Sequence, residues 1–249
     1  MAQRITVKVL EIKTNIRNED ILLYPALISI GSKNWLVDAG YVETFEIFKT
    51  QLAAQGIAIA DLQGILISHD DLDHVGGLAL FRKAHPDLVY YASEIETPTL
   101  TGARKSARLQ QAEDLFPQLP EAYHAWALNF QQQLKQIERV SIDVLLKDQD
   151  QIAAEIVVIH TPGHTSGHLS FYLPSLKTLI ACDVVVIENG QLNIANPAFT
   201  LDMPAAVASL QKISQLDIQR LICYHGGEMT TNIAAQLQAV IATYTDAAR

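Results

Sequence analysis

Two histidines and three aspartates crowd into six residues, His69-Asp70-Asp71-Leu72-Asp73-His74, directly after the apolar run Ile65 to Ile67. Carboxylates packed at the end of a buried strand repel one another and lose hydration, and a bound divalent cation reverses that balance. The residue types therefore point to a metal held by imidazole nitrogen and carboxylate oxygen. Three more places repeat the arrangement: His160 to His168 after the run Ile156 to Ile159, Asp183 after Leu179 to Cys182, and His225 after Leu221 to Tyr224. Four strand-like runs each end in a potential ligand, and α/β architectures gather their ligands at that end of the strands.

The elements that position these residues follow from periodicity. Ile5 to Ile12 alternates like a half-buried strand, and Ile21 to Ile30 is a second apolar run beyond a polar turn at Asn15 to Asp20. Phe45, Phe48 and Leu52 recur at helical spacing within Glu43 to Gln55, before the terminator Gly56. Strands are expected at Ile65 to Ile67, Leu88 to Tyr91, Ile156 to Ile159, Leu169 to Leu173, Leu179 to Cys182 and Leu221 to Tyr224. Helices are expected at Ala79 to Ala84, at Pro204 to Gln215 with Asp202 as its cap, and at Asn232 to Thr243. Residues 96–139 show helical periodicity and no strand signal, so they read as a helical insertion that Pro117 and Pro120 divide in two.

Composition limits the classes. A chain of 249 residues with 49% hydrophobic content can bury one large core, so a single domain over 1–249 is the expectation. The net charge of -9 disfavours a nucleic-acid partner, and no run reaches the roughly 18 to 20 apolar residues of a membrane span. With no signal-peptide pattern and only Cys182 and Cys223 for thiol chemistry, the cytoplasm is the expected location.

On these residues the chain resembles the metallo-β-lactamase fold hydrolases, whose signature is His-x-His-x-Asp-His followed by a distant His, Asp and His. The resemblance covers nearly the whole chain. It implies an α+β, four-layer αβ/βα sandwich of two mixed sheets with helices outside. It also implies two divalent ions, with His69, Asp71 and His164 at the first, Asp73, His74 and His225 at the second, and Asp183 bridging both. Zinc is the metal the family suggests. The implied reaction is hydrolysis of an ester, lactone, thioester or phosphoester of a small molecule by a hydroxide held between the ions, with Asp73 orienting it as the catalytic carboxylate.

Asp71 departs from the signature, standing where histidine is usual. Carboxylate oxygen is the harder donor and shifts the first position toward manganese or iron. By charge count, Asp71, Asp73, Asp183 and one hydroxide cancel two divalent ions, where a histidine would leave one positive charge; the expectation is a more basic hydroxide and easier oxidation of iron. Flavodiiron oxidoreductases similarly carry a carboxylate here, which makes a di-iron oxidoreductase the alternative reading; a noncatalytic metal-binding module is another. Val184 to Ile187 replaces the tyrosine that acyl-homoserine lactonases place past the bridging aspartate, and only Arg249 is basic after His225, unlike hydroxyacylglutathione hydrolases. His160, His168 and, from the insertion, His124 are candidates for supporting the ligands or touching substrate.

Overall fold

The structure is a computed structural model and describes residues 4–16 and 18–246. Expectations that touch Met1 to Gln3 and Arg249 lie outside the described residues. Alternation beginning at Ile5 gives β1 (Ile5–Val9), but the strand does not run on to Ile12. The chain turns at Leu10, whose amide donates to the Pro25 carbonyl at 2.9 Å. It then forms a separate hairpin of β2 (Ile12–Ile16) and β3 (Glu19–Leu23). Pro25 cannot donate to a strand ladder, so the expected single run Ile21 to Ile30 is two strands, β3 and β4 (Ala26–Ile30).

There follow β5 (Lys33–Val37), α1 (Phe45–Ala54), β6 (Leu62–Leu66), the one-turn α2 (Leu72–Val75), α3 (Leu78–Ala84) and β7 (Val89–Ser93). Between β7 and β8 (Val144–Leu146) the chain is helical, with α4 (Thr97–Leu100), α5 (Ala107–Leu115) and α6 (His124–Gln136); Pro117 and Pro120 mark the break between the last two. The second half holds β9 (Gln151–Ile152), β10 (Ile156–His160), β11 (Leu169–Leu173), β12 (Thr178–Cys182), the hairpin β13 (Val186–Glu188) and β14 (Gln191–Asn193), α7 (Met203–Ile213), β15 (Arg220–Cys223), β16 (Gly227–Met229) and α8 (Ile233–Asp246).

Two six-stranded mixed sheets result, ordered β1-β4-β5-β6-β7-β8 and β16-β15-β12-β11-β10-β9. Strands β5 to β8 are mutually parallel, and β12 pairs β15 in parallel. The strand period of two splits side chains between layers. On β12, Ile180 and Cys182 face the space between the sheets, with Trp35 and Val37 of the first sheet and Phe171 of the second. Leu179 and Ala181 face outward onto Leu210 and Ile213 of α7 and Leu237 of α8. On the other side, Phe48 and Leu52 of α1 and Phe81 of α3 cover Leu36 and Ile65 of the first sheet. The expected four-layer αβ/βα sandwich is thus observed.

The loop bearing His164 is anchored by sequence-local chemistry. The Asp202 carboxylate caps α7 by accepting from the Ala205 amide at 2.9 Å, and the Asp202 amide donates to the Gly163 carbonyl at 2.9 Å. Gly163 has φ of 139°, and a Cβ there would sit 2.3 Å from the backbone of Ala206, so only glycine lets the loop approach the helix this closely. Among the described residues no helix is long and apolar enough to cross a membrane.

Candidate metal centre

The loops after β6, β10, β12 and β15 converge, and with them the ligand-type atoms of six side chains. His69, His164 and Asp183 form one group and Asp73, His74 and His225 another, with the ligand atoms of each group within 4.8 Å of one another. Asp183 joins the two. Its Oδ2 lies 3.8 Å from His164 Nε2, 3.5 Å from His74 Nε2 and 3.5 Å from His225 Nε2.

Residues behind the cluster fix how it faces inward. Asp38, at the end of β5, accepts the Ser68 amide (2.8 Å) on one oxygen and the Ser68 hydroxyl (2.7 Å) and His74 Nδ1–H (2.8 Å) on the other. With its proton given to Asp38, Ser68 Oγ accepts from His69 Nδ1–H at 2.9 Å. Both rings therefore carry hydrogen on Nδ1 and turn a bare Nε2 into the cluster. Those two Nε2 atoms, with Asp183 Oδ1, are buried and have no hydrogen-bond partner. The buried Nε2 nitrogens of His69 and His74 converge on carboxylates and make no hydrogen bond within the protein, an arrangement that a cation completes and that protons must complete in its absence. Tyr224 completes the backing, its ring 4.0 Å from that of His74 and its hydroxyl donating to the Asp73 carbonyl at 2.8 Å.

The electrostatics agree. Burial alone would push the Asp183 carboxyl up, yet His225 and His74 hold it well below the usual carboxylate range. Burial likewise opposes a charged His225, but Asp183 and Asp73 raise it to about 10, and Asp183, Asp73 and Asp38 raise His74 well above its ordinary value. Without a cation the cluster must borrow protons to balance its carboxylates. His164 behaves differently, because burial outweighs Asp71 and lowers it.

His168 lies fully buried below the centre. Its Nε2 accepts the Asp183 amide at 3.1 Å, so Nδ1–H points to Thr161 Oγ1 at 2.8 Å; burial pushes this imidazole well below its ordinary value and keeps it neutral. It positions the Asp183 backbone and does not reach the cavity. His160 stands apart from the cluster, half-buried, bracing its loop through Nε2 to the Ser166 carbonyl at 3.0 Å. His124 is also turned away. It donates to the Leu119 carbonyl at 2.9 Å and packs on Phe116, tying the start of α6 to the turn before it, and it is not among the residues lining the cavity described below.

Asp71 falls outside both groups of three, held by a residue that sequence reasoning did not single out. Arg108 of α5 donates Nε to Asp71 Oδ1 at 2.9 Å and Nη2 to Oδ2 at 2.7 Å. Asp71 Oδ2 nevertheless faces the cluster, 2.9 Å from His164 Nε2 and 3.4 Å from His69 Nε2. Ligands at about 2.1 Å around one tetrahedral ion are separated by ~3.4 Å, so this oxygen fits as a further vertex of the first group. Burial opposes its ionisation, but Arg108, His164 and His69 keep Asp71 well below the usual carboxylate range. The charge count made from sequence omitted the guanidinium; with Arg108 beside Asp71 the first position has the same net charge as one built from histidine, and the expected gain in hydroxide basicity loses its basis.

A cavity of about 600 Å³ opens onto Asp71, Asp73, Asp183 and His225. Trp126, Phe130 and Phe199 form one wall, with Trp126 and Phe130 stacked at 5.5 Å, and Ile16 and Ile21 of the β2–β3 hairpin overhang another. Glu19 and Glu188 also line it, and among the described lining residues Arg108 is the one lysine or arginine.

Comparison with known proteins settles the family. Residues 26–225 match the metallo-beta-lactamase superfamily. The chain belongs to that superfamily. Relatives include the probable metallo-hydrolase YflN of Bacillus subtilis, 25% identical, with 78% of this chain and 76% of that protein covered. A hydroxyacylglutathione hydrolase of Fuscovulum blasticum is 30% identical, covering 69% of this chain and 50% of its own length. Among solved structures, the metallo-beta-lactamase family protein TTHA1429 of Thermus thermophilus has a TM-score of 0.73 at 20% identity, covering 96% of this chain and 79% of its own. A protein solved in a di-iron-bound form, TTHA1623, has a TM-score of 0.63 at 24% identity, covering 90% and 98%. At the level of the superfamily the protein is a metal-binding hydrolase.

Proposed function

We propose that this chain is a dinuclear-metal-dependent hydrolase of small neutral esters or lactones that carry an apolar group. The observation that carries the reading is the single oxygen of Asp183 that faces His74, His164 and His225 at once, with bare Nε2 atoms of His69 and His74 turned toward it. His69, His164 and Asp71 would hold the first ion, Asp73, His74 and His225 the second, and Asp183 both. When bound, such ions lower the pKa of water and polarise a carbonyl oxygen. The chain's own residues do the rest. Asp73 is ionised, because His74 and His225 outweigh its burial, and its carboxylate orients the attacking water, accepts its proton and passes it to the departing alkoxide. His225, at the cavity edge, has its Nε2 3.1 Å from Asp73, so the two side chains face the second position together. Tyr41, which lines the cavity, is raised by Asp73 and by burial; it remains a neutral phenol able to donate to a substrate oxygen.

The substrate class is read from the cavity walls. Trp126, Phe130, Phe199, Ile16 and Ile21 accept an apolar acyl or alkyl group, while Glu19 and Glu188 repel anions. Arg108 is occupied by Asp71, Gln111 and the Phe199 carbonyl, so it offers no free donor to a phosphate or a substrate carboxylate. This favours neutral esters and lactones over phosphoesters and over the anionic thioesters of glutathione, whose hydrolase is among the relatives.

The test is protein loaded in parallel with zinc, manganese or ferrous iron and assayed on medium-chain aryl esters, γ- and δ-lactones, an aryl phosphodiester and a glutathione thioester. Ester or lactone turnover that needs about two ions and exceeds phosphodiester turnover supports the proposal. Turnover confined to the anionic substrates would reject the substrate class. A di-iron oxidoreductase is the second reading, favoured by the Asp71 oxygen at the first position; dioxygen or nitric oxide consumption by the iron-loaded protein with a reductant, and silence on every ester, would choose it.

A further inference from the structure

Arg108 makes more contacts than a surface-helix arginine has reason to make, and it is 3% exposed. Its guanidinium donates four hydrogen bonds, to Asp71, Gln111 and the Phe199 carbonyl. Nε and Nη2 grip Asp71, Nη2 also lies 3.3 Å from His164 Nε2, and Nη1 donates to Gln111 Oε1 at 2.6 Å and to the Phe199 carbonyl. Gln111, one turn further along α5, donates to the Ala198 carbonyl at 3.1 Å. One side chain thus joins three parts of the molecule: the α5 helix, the loop that carries Phe199 on the cavity wall, and the first metal position.

A fork of this kind fixes a carboxylate in orientation as well as in charge. It takes Oδ1 of Asp71 away from the cluster and leaves Oδ2 as the oxygen directed at His69 and His164. A carboxylate so held presents one donor atom and, with the guanidinium, no net charge. Those are the two properties that a neutral imidazole brings to a metal.

We propose that Arg108 and Asp71 act as one net-neutral unit standing in for an imidazole at the first metal position, and that Arg108, a positioning residue, thereby couples occupancy of that position to docking of α5. The inference rests on the dinuclear reading above. Each half of the unit is then harmful alone. A histidine at position 71 leaves a buried guanidinium with no carboxylate, 3.3 Å from a ligand nitrogen and facing the incoming cation. Removing the guanidinium together with Asp71 takes that penalty away.

The test is a double-mutant cycle of Asp71→His and Arg108→Met, read as the dissociation constants of both ions by zinc and manganese titration, with circular dichroism to confirm folding. Asp71→His alone is expected to weaken the first ion at least ~10-fold, the scale on which groups supporting a ligand act, and addition of Arg108→Met is expected to bring binding back to within about 3-fold of the parent. The second ion moves little in either. Equal first-ion affinity in the parent and Asp71→His, or an Arg108→Met effect of the same size and sign in both backgrounds, overturns the proposal. Should Asp71→His fail to fold, amide exchange on the parent decides: protection across residues 107–115 rises when the first ion binds, and protection indifferent to loading refutes the coupling. A parent that binds fewer than two ions rejects the dinuclear reading instead, so the two failures are distinguishable.

Discussion

The two metal positions are built by different parts of the molecule. The second is made wholly by the sandwich: His74 is oriented by Asp38 at the end of β5, and Tyr224, after β15, packs on His74 and grips the Asp73 backbone. The first borrows from outside it, since Asp71 is shaped by Arg108 of the helices between β7 and β8. A position supported by core strands is as rigid as the core. One supported by a helix that also walls the substrate cavity can respond to what that cavity holds. The second position is thus supported from within the sheets and the first from the helices beside the cavity.

Removing what the positions share should have the largest effect. Asp183→Ala deletes the one oxygen directed at three imidazoles, and the expected outcome is loss of both ions and a fall in ester hydrolysis of more than ~100-fold, beyond what loss of an outer supporting group costs. Elemental analysis after gel filtration checks it; retention of one full equivalent would mean the positions are independent. Asp38→Ala comes next and should split them. Its carboxylate fixes His74 directly and His69 only through Ser68, so the second ion is expected to weaken by ~10 to 100-fold and the first by less. Equal weakening by calorimetric titration would contradict the asymmetry.

Protons give a third contrast. In the ion-free protein Asp183 and Asp73 outweigh burial and raise His225 to about 10, so between pH 7 and 9 it carries a proton that a metal must displace, and the same carboxylates shift His74 in the same direction. Because the shift is upward, the proton is present below about 10, and apparent second-ion affinity should fall about tenfold for each unit the pH drops from there, for each proton displaced. His164 is lowered and already neutral in that range, so it adds no proton to the cost of filling the first position. Titration in buffers of different ionisation enthalpy counts the protons: at least one released on filling the second position at pH 8, and fewer on the first. Equal release would remove the contrast.

What the sequence made legible follows the same division. The ligands could be read because their types are rare at the ends of buried strands and recur at four of them. Asp38 carries the same signal, an acid directly after Trp35-Leu36-Val37, but it stands apart from any histidine in sequence, so no local cluster marks it. Arg108 carried none: its partner is 37 residues away and on a different element, and an arginine in a polar helix reads as a solvated one. The β2–β3 hairpin was hidden by reading apolar residues through Pro25, a proline that breaks the ladder. Cys182 and Cys223 sit on neighbouring strands and are paired in register, yet the first packs between the sheets and the second under α7 and α8. Period-two alternation, disturbed by the register shift between Ile180 and Cys182, sends them to opposite faces, and they are buried free thiols.

The smallest expected effect bears on whether the helices contribute chemistry or only shape. His124 and Arg108 belong to the same helical segment, and both are polar groups that sequence alone could have sent toward substrate. Geometry separates them: Arg108 reaches Asp71, whereas His124 spends its ring nitrogen on the Leu119 carbonyl and its face on Phe116. Such a hydrogen bond contributes about 0.5 to 1.5 kcal/mol. His124→Ala should therefore lower Tm by a few degrees at most, and leave KM, kcat and both metal affinities unchanged. A rise in KM without a change in metal content would bring His124 into the substrate's reach and extend the helix-supported half of the site along α6. An unchanged KM leaves Arg108 as the polar side chain through which these helices act on the metal centre.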